Sequence, residues 1–220
     1  MKRATTKRFK KLLGQGQDIS PFEELCAALL TTRECPPVIT IKQKNGKKKK
    51  RGDILQFIRG LRLSARLIYI LRDKLQDHGV QVNWGHVEDD RQRLCSPECD
   101  IIIHAGGVAD RWNGRQQHCV MDFLFIKREA VKAIISCKST LTASGIDTDF
   151  AQVVKRDFRI DNTFLFAEAI KDAKYAGLKK KAIAAGYKGL WPLYRLDAAG
   201  AKVRNPQDYL DFLDALRKAL

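Results

Sequence analysis

Two polar residues stand where an apolar strand would not ordinarily place them. Asp100 opens the run Ile101-Ile102-Ile103-His104, and Lys138 closes the run that begins at Val131. If those segments are neighbouring strands, a carboxylate and an ammonium converge at one edge of a sheet. Such a pair suits hydrolysis of a phosphodiester. The carboxylate holds a divalent metal, which polarises the phosphate and makes a bound water more acidic. The lysine stabilises the developing charge or orients the water. Mg²⁺ takes oxygen ligands and keeps several waters, so one or two protein carboxylates suffice. A strand-end Asp turned to solvent and a surface Lys would give the same two letters.

Other constellations carry less. Cys95 and Cys99 could be combined on paper with His104, His118 or Cys119, but no spacing forces the four ligands of a zinc site. Gly14-Gln15-Gly16 and Gly106-Gly107 lack the strand–glycine–helix setting and the Lys-Ser/Thr of a phosphate loop. There is no G-x-S-x-G. Trp84, Trp112 and Trp191 read as core or core-edge aromatics. Trp112, in the polar loop ADRWNGRQQH, is the best placed of them for contact, and it brings Arg111 and Arg115 with it as candidate phosphate contacts.

The elements that must position Asp100 and Lys138 are legible. Ser20, Pro21 and Glu23 start a helix reaching about Leu30. Val38 to Ile41 favours a strand and Asn45-Gly46 a turn. Ile54, Phe57, Ile58, Leu61, Ala65, Ile68, Leu71 and Leu75 recur at steps of three and four, which predicts a helix from Asp53 to about Gln76. VQVNW (80–84) reads as a strand, as do 100–104, 121–126 and 131–139. Apolar strands without alternation imply a sheet covered on both faces. A helix over 150–159, a strand at 163–167, helix again from Glu168 to Ala185, and an edge strand LYRL (193–196) follow. Asn205-Pro206 caps a last amphipathic helix. The order predicts an α/β fold, one domain over 1–220 with a loose basic arm at about 1–18.

The chain has 220 residues, with 41 Lys and Arg against 25 Asp and Glu, a formal charge of +16. That excess favours a polyanionic partner. Lys47, Lys48, Lys49, Lys50 and Arg51 form an unbroken basic run, read either as a solvated loop or as phosphate contacts. No run of about 18 apolar residues exists to span a membrane. The basic N-terminus lacks the apolar block of a secretory signal. The six cysteines, mostly in apolar segments, read as free thiols of an intracellular protein.

The stretch CDIIIH…EAVKAIISCKSTLT, about 45 residues over 98–142, resembles the PD-(D/E)xK nuclease superfamily. Asp100 matches the first carboxylate of that family and Lys138 its lysine. Ser136 stands where Asp or Glu is usual, and Ser-Cys-Lys also resembles a variant in some type II restriction endonucleases. There a glutamate on the following helix supplies the missing carboxylate. The matching position here is near Gln152, with Asp147 and Asp149 just before it and Glu129 before the strand as the alternative. An acidic residue on an early helix, here Glu23, Glu24 or Asp53, sometimes joins the site. The resemblance implies a central mixed sheet flanked by helices, a restriction-endonuclease-like core. It implies a Mg²⁺-dependent (or Mn²⁺-dependent) endonuclease on double-stranded DNA, restriction-type and homodimeric. Asp100, Lys138, Ser136 and Glu129 would be catalytic, and Asp100, Asp147 and Asp149 would hold metal. Its setting would be the cytoplasm of a bacterium or archaeon, or a phage-infected cell. Two other readings compete: a nuclease fold that has lost catalysis and only binds DNA, and a basic RNA-binding module.

Overall fold

The computed structural model describes residue 23 and residues 40–42, 48–112 and 123–220. Strands β1 (Thr40–Lys42) and β2 (Lys48–Lys50) pair antiparallel, with Thr40 opposite Lys50. The chain passes from β2 straight into helix α1 (Arg51–Lys74). A larger sheet follows: β3 (Gln81–Asp89), β4 (Leu94–Cys95), β5 (Cys99–His104), β6 (Val108–Trp112), β7 (Phe123–Lys127) and β8 (Val131–Thr140). After helix α2 (Thr148–Arg156) come β9 (Thr163–Lys171), helix α3 (Tyr175–Ala185), β10 (Leu190–Leu196), β11 (Lys202–Arg204) and helix α4 (Pro206–Arg217).

The strand order is β11-β10-β9-β8-β5-β3-β7-β6, with β4 paired to β3. β8 lies antiparallel to β5 and parallel to β9, so the sheet is mixed. Helices cover both faces. Leu63, Leu67 and Leu71 of α1, Leu75 just after it, and Tyr209, Phe212, Leu213 and Leu216 of α4 pack on one face. Phe150, Ala151 and Val154 of α2 and Leu178, Ala182 and Ala185 of α3 pack on the other. This is why β8 is apolar without alternation: Ala133, Ile135 and Cys137 meet the α1/α4 layer, and Ile134 meets the α2/α3 layer. The last helix starts as its sequence predicts, with the Asn205 side chain accepting from the Asp208 amide and Pro206 in the first turn.

Four expectations are corrected. Glu168 to Lys171 continues β9 instead of starting a helix, because Ala169, Ile170 and Lys171 pair with Tyr194, Arg195 and Leu196 of β10. Sheet pairing overrides the helical propensity of that short segment. LYRL is no edge strand, since β11 pairs antiparallel outside it. The segment ADRWNG is not wholly loop, since Val108–Trp112 forms an outer strand on β7. Lys48, Lys49 and Lys50 form a hairpin strand and Arg51 opens α1, so the basic run is held by backbone pairing and is no solvated loop. Lys47, Arg115, Glu24, the helix after Glu23 and the arm at 1–18 lie outside the described residues. The side chains of Lys48, Lys49, Lys50, Arg51, Asp53 and Arg111 also lie outside them.

Candidate active site

Antiparallel pairing decides which ends meet. Ile101 lies opposite Ile135 and Ile102 opposite Ile134, so the start of β5 adjoins the end of β8. Asp100 and Lys138 therefore reach the same end of adjacent strands. Both line one cleft of about 360 Å³, whose other wall is Gly60, Leu61 and Ser64 of α1.

A bulge shapes this end. Asn83 of β3 pairs with Ile102, and Gly85 pairs with Cys99, with an irregularity between them. Cys99 and Ile102 consequently share the α2/α3 layer, whereas Ile101 and Ile103 face α1. Strict alternation forbids that parity, and the break falls at Asp100. Gly85 makes the close approach possible: at φ 155°, an added Cβ would stand 1.8 Å from the Leu124 carbonyl oxygen. Bulges of this kind re-aim side chains beside functional sites.

The backbone amide of Cys137 donates to Asp100 Oδ2 at 2.8 Å, and Ser136 Oγ donates to the same oxygen at 3.4 Å. Oδ1 accepts no hydrogen bond from the described residues. Burial pushes the Asp100 carboxyl above its ordinary value. The Cys137 amide, the Lys138 ammonium and the Ser136 hydroxyl pull it down, and the Glu98 carboxylate pushes it up. The group is thus desolvated and incompletely satisfied, and neighbouring charges of both signs act on it.

Ser136 is buried, and its side chain also lies within hydrogen-bonding reach of Tyr187. Tyr187, which follows α3, donates its hydroxyl to the Asp147 carbonyl at 2.9 Å. Burial raises the Tyr187 phenol, and the Asp147 and Asp100 charges raise it further. Sequence reasoning missed Tyr187 and Glu98. No spacing signal points to Tyr187, but Glu98 stands two residues before Asp100.

The other predicted residues separate. Asp147 caps α2, accepting from the Phe150 amide at 2.9 Å. Asp147 and Asp149 line a second cleft of about 400 Å³, which Lys138 also borders. Lys138 thus stands between Asp100 and these two carboxylates. Glu129 is not brought to either cleft. It lies exposed just before β8 and lines a different hollow with Arg128 and Arg159. At ~3.3 Å per residue, the first residue of β8 is about 23 Å from Lys138. Glu23 pairs with Arg204 of β11.

Among the described residues, no group of three or more His, Cys, Asp and Glu side chains is placed to hold a metal ion. The donor set nevertheless fits a hard cation that keeps most of its waters, because Asp100 Oδ1 is unengaged and Glu98 lines the same cleft. It does not fit zinc. Cys95, Cys99 and Cys137 are free, burial raises the Cys99 thiol to about 12, and burial raises Cys137 well above its ordinary value. Thiols held protonated are neither metal ligands nor nucleophiles.

The mixed sheet flanked by helices, with its Asp-bearing and Lys-bearing strands side by side, has the restriction-endonuclease-like fold. Two solved structures share the architecture. One is NucC of P. aeruginosa ATCC27853 in its cAAA-bound form, at 15% identity and TM-score 0.56, over 91% of this chain and 89% of that one. The other is NucC of E. coli MS115-1, also cAAA-bound, at 12% identity and TM-score 0.55, over 93% and 90%. No family model matches the sequence, and no curated protein matches it.

Proposed function

We propose that the protein is a Mg²⁺-dependent endonuclease that hydrolyses phosphodiester bonds of double-stranded DNA, of the restriction type, acting as a homodimer. The observation that carries this is the convergence of Asp100 and Lys138 on one cleft at the same end of adjacent strands. Asp100 would hold the cation, and the Cys137 amide and Ser136 hydroxyl would fix the carboxylate's orientation. When bound, the cation supplies positive charge to the phosphate oxygens and a more acidic water. Lys138, aimed at the same cleft, stabilises negative charge that grows as the phosphate is attacked. Ser136 is a positioning residue in this scheme and carries no proton in the reaction. Asp147 and Asp149 border Lys138 from the second cleft.

Duplex DNA as substrate is supported by the charge of +16 and by the position of the basic hairpin. β2 runs without a break into α1, and Gly60 of α1 lines the cleft. Ten helical residues separate Lys50 from Gly60, about 15 Å. Lys48, Lys49 and Lys50 would bind phosphates there, with Lys47, Arg51, Arg111 and Arg115 extending the track. A point-charge run of this kind contributes affinity and salt dependence, not base selection. Two subunits would present two clefts to the two strands of a symmetric site.

The test is nicking of supercoiled plasmid with Mg²⁺, Mn²⁺ or EDTA, by wild type and Asp100→Asn. Cleavage by wild type with metal, abolished by EDTA and by the substitution, is expected. Ser136 in the usual carboxylate position favours a second reading, a DNA-binding nuclease fold without catalysis. Tight duplex binding with no cleavage under either metal would establish that reading in place of the first.

A further inference from the structure

Ser136 leaves the centre one carboxylate short, and the described residues offer few replacements. Glu129 is at the wrong end of β8. The Asp147 carboxylate is engaged in capping α2, and Asp149 faces the neighbouring cleft. Glu98 differs from all three, because it lines the same cleft as Asp100 and Lys138.

Glu98 is also held. Trp84 Nε1–H donates to Glu98 Oε1 at 2.8 Å, and Trp84 itself lines the cleft. The indole is partly buried against the α1/α4 core, so its orientation is set by packing. A long carboxylate side chain on an exposed residue would otherwise lose rotamer freedom on binding a ligand. One oxygen is thereby engaged by a neutral donor, and the other is not called on by the described residues. Asp100, Glu98 and Lys138 sum to a net negative cleft in a chain of charge +16. That local inversion of sign attracts a cation where the rest of the surface repels one.

We propose that Glu98 is the second carboxylate of the metal centre, and that Trp84 is the positioning residue that orients it through its indole N–H. The proposal rests on the metal-dependent nuclease reading and deepens it. It assigns the missing acidic group to the residue two before Asp100, reached across the bulge, and not to the helix after β8.

The experiment measures Mn²⁺ binding without DNA, so that activity is not the readout. Free Mn²⁺ is followed by electron paramagnetic resonance in titrations of wild type, Glu98→Gln, Trp84→Phe and Asp100→Asn, with indole emission recorded in parallel. Glu98→Gln should weaken binding by about 100-fold, since ligand charge count moves hard-cation affinity over decades. Trp84→Phe leaves an aromatic ring in place but no N–H donor for Glu98, so about tenfold is expected, as for other groups that orient a ligand. Wild-type emission should change on Mn²⁺ addition, and that change should vanish in Glu98→Gln, which keeps the Trp84 indole. Melting temperatures without metal should match wild type for Glu98→Gln, which separates lost ligation from lost folding. Wild-type affinity in Glu98→Gln with binding lost in Asp100→Asn would overturn this inference and leave the nuclease reading standing. A wild-type protein that binds no Mn²⁺, or an Asp100→Asn variant that binds as wild type does, would overturn both.

Discussion

Asp208 and Asp100 are both carboxylates set into the same sheet-and-helix framework, and they are satisfied in different ways. Asp208, buried at the start of α4, receives Arg195 Nε at 2.9 Å on one oxygen and Nη2 at 3.0 Å on the other. Arg195 also reaches Asp172 at 3.2 Å and lies over the Tyr175 ring at 4.1 Å. A few residues away, Lys202 pairs with the buried Glu168 and lies 4.3 Å from the Tyr194 ring. In that region each of these charges faces its opposite. Asp100 has two neutral donors on one oxygen, none from the described residues on the other, and charges of both signs, Lys138 and Glu98, beside it. A buried charge pair that is complete locks structure, whereas an incomplete one is a standing demand for a ligand.

The sharpest way to break this contrast is to remove one charged group on each side. Lys138→Ala should lower plasmid cleavage by roughly 10³-fold, the scale seen when a group aimed at transition-state charge is deleted. Its melting temperature should stay near wild type, because Lys138 completes no buried pair. Nicking rates and thermal melts on one preparation check both halves. A variant that cleaves normally would move the chemistry away from this cleft.

Asp208→Ala should do the reverse. Leaving Arg195 without its bidentate partner should cost roughly 2 kcal/mol. That is below the cost for a fully buried pair, since Arg195 retains 29% side-chain exposure. Urea titration measures the loss, and cleavage per folded molecule should not change. A cleavage defect at full folding would mean that the Arg195 network is part of the site.

The smallest effect comes from a polar group satisfied by neutral partners alone. His104 is buried, with Nδ1–H donating to the Gly106 carbonyl at 2.7 Å and Nε2 accepting from Asn83 Nδ2 at 2.8 Å. Burial lowers its value, against the Gly106 hydrogen bond that raises it, so the neutral ring is favoured in the folded state. Its stabilisation is present above the ordinary histidine value of about 6.5 and is lost as pH falls through the lower folded value. Unfolding free energy should therefore decline on acidification below about pH 6.5. That slope should be shallower in His104→Gln. Equal slopes in the two proteins would show that His104 is not the group responsible.

Much of the architecture was legible in the chain. The apolar repeat from Ile54 to Leu75 announced that α1 is a helix, but not its whole packed face, since Leu61 is exposed and Leu63, Leu67 and Ile70 are buried. Asn205-Pro206 announced α4 through its cap. Glu168 to Lys171 was not legible, because four residues hold too little periodicity to outvote their pairing with β10. The outer strand β6 was hidden in a polar segment for the reason common to edges, that polar residues are tolerated where one side meets solvent.

The candidate site divides in the same way. Asp100 and Lys138 stood out from sequence alone, since a charge bounding a doubly covered apolar strand is conspicuous by composition. A second carboxylate did not, and the sequence pointed to Asp147, Asp149 or Glu129 by analogy of position along the chain, and not to Glu98. The bulge at Asn83–Gly85 breaks alternation at Asp100, the α1 wall closes the cleft, and Trp84 holds Glu98 from a different strand. Those relations join residues 14 or more positions apart. The sequence by itself determined most of the strands and helices and which charges bound them, because periodicity and burial act within a segment. Only the tertiary structure decided which carboxylates share a cleft, because that depends on the register and pairing of strands, and no local pattern encodes either.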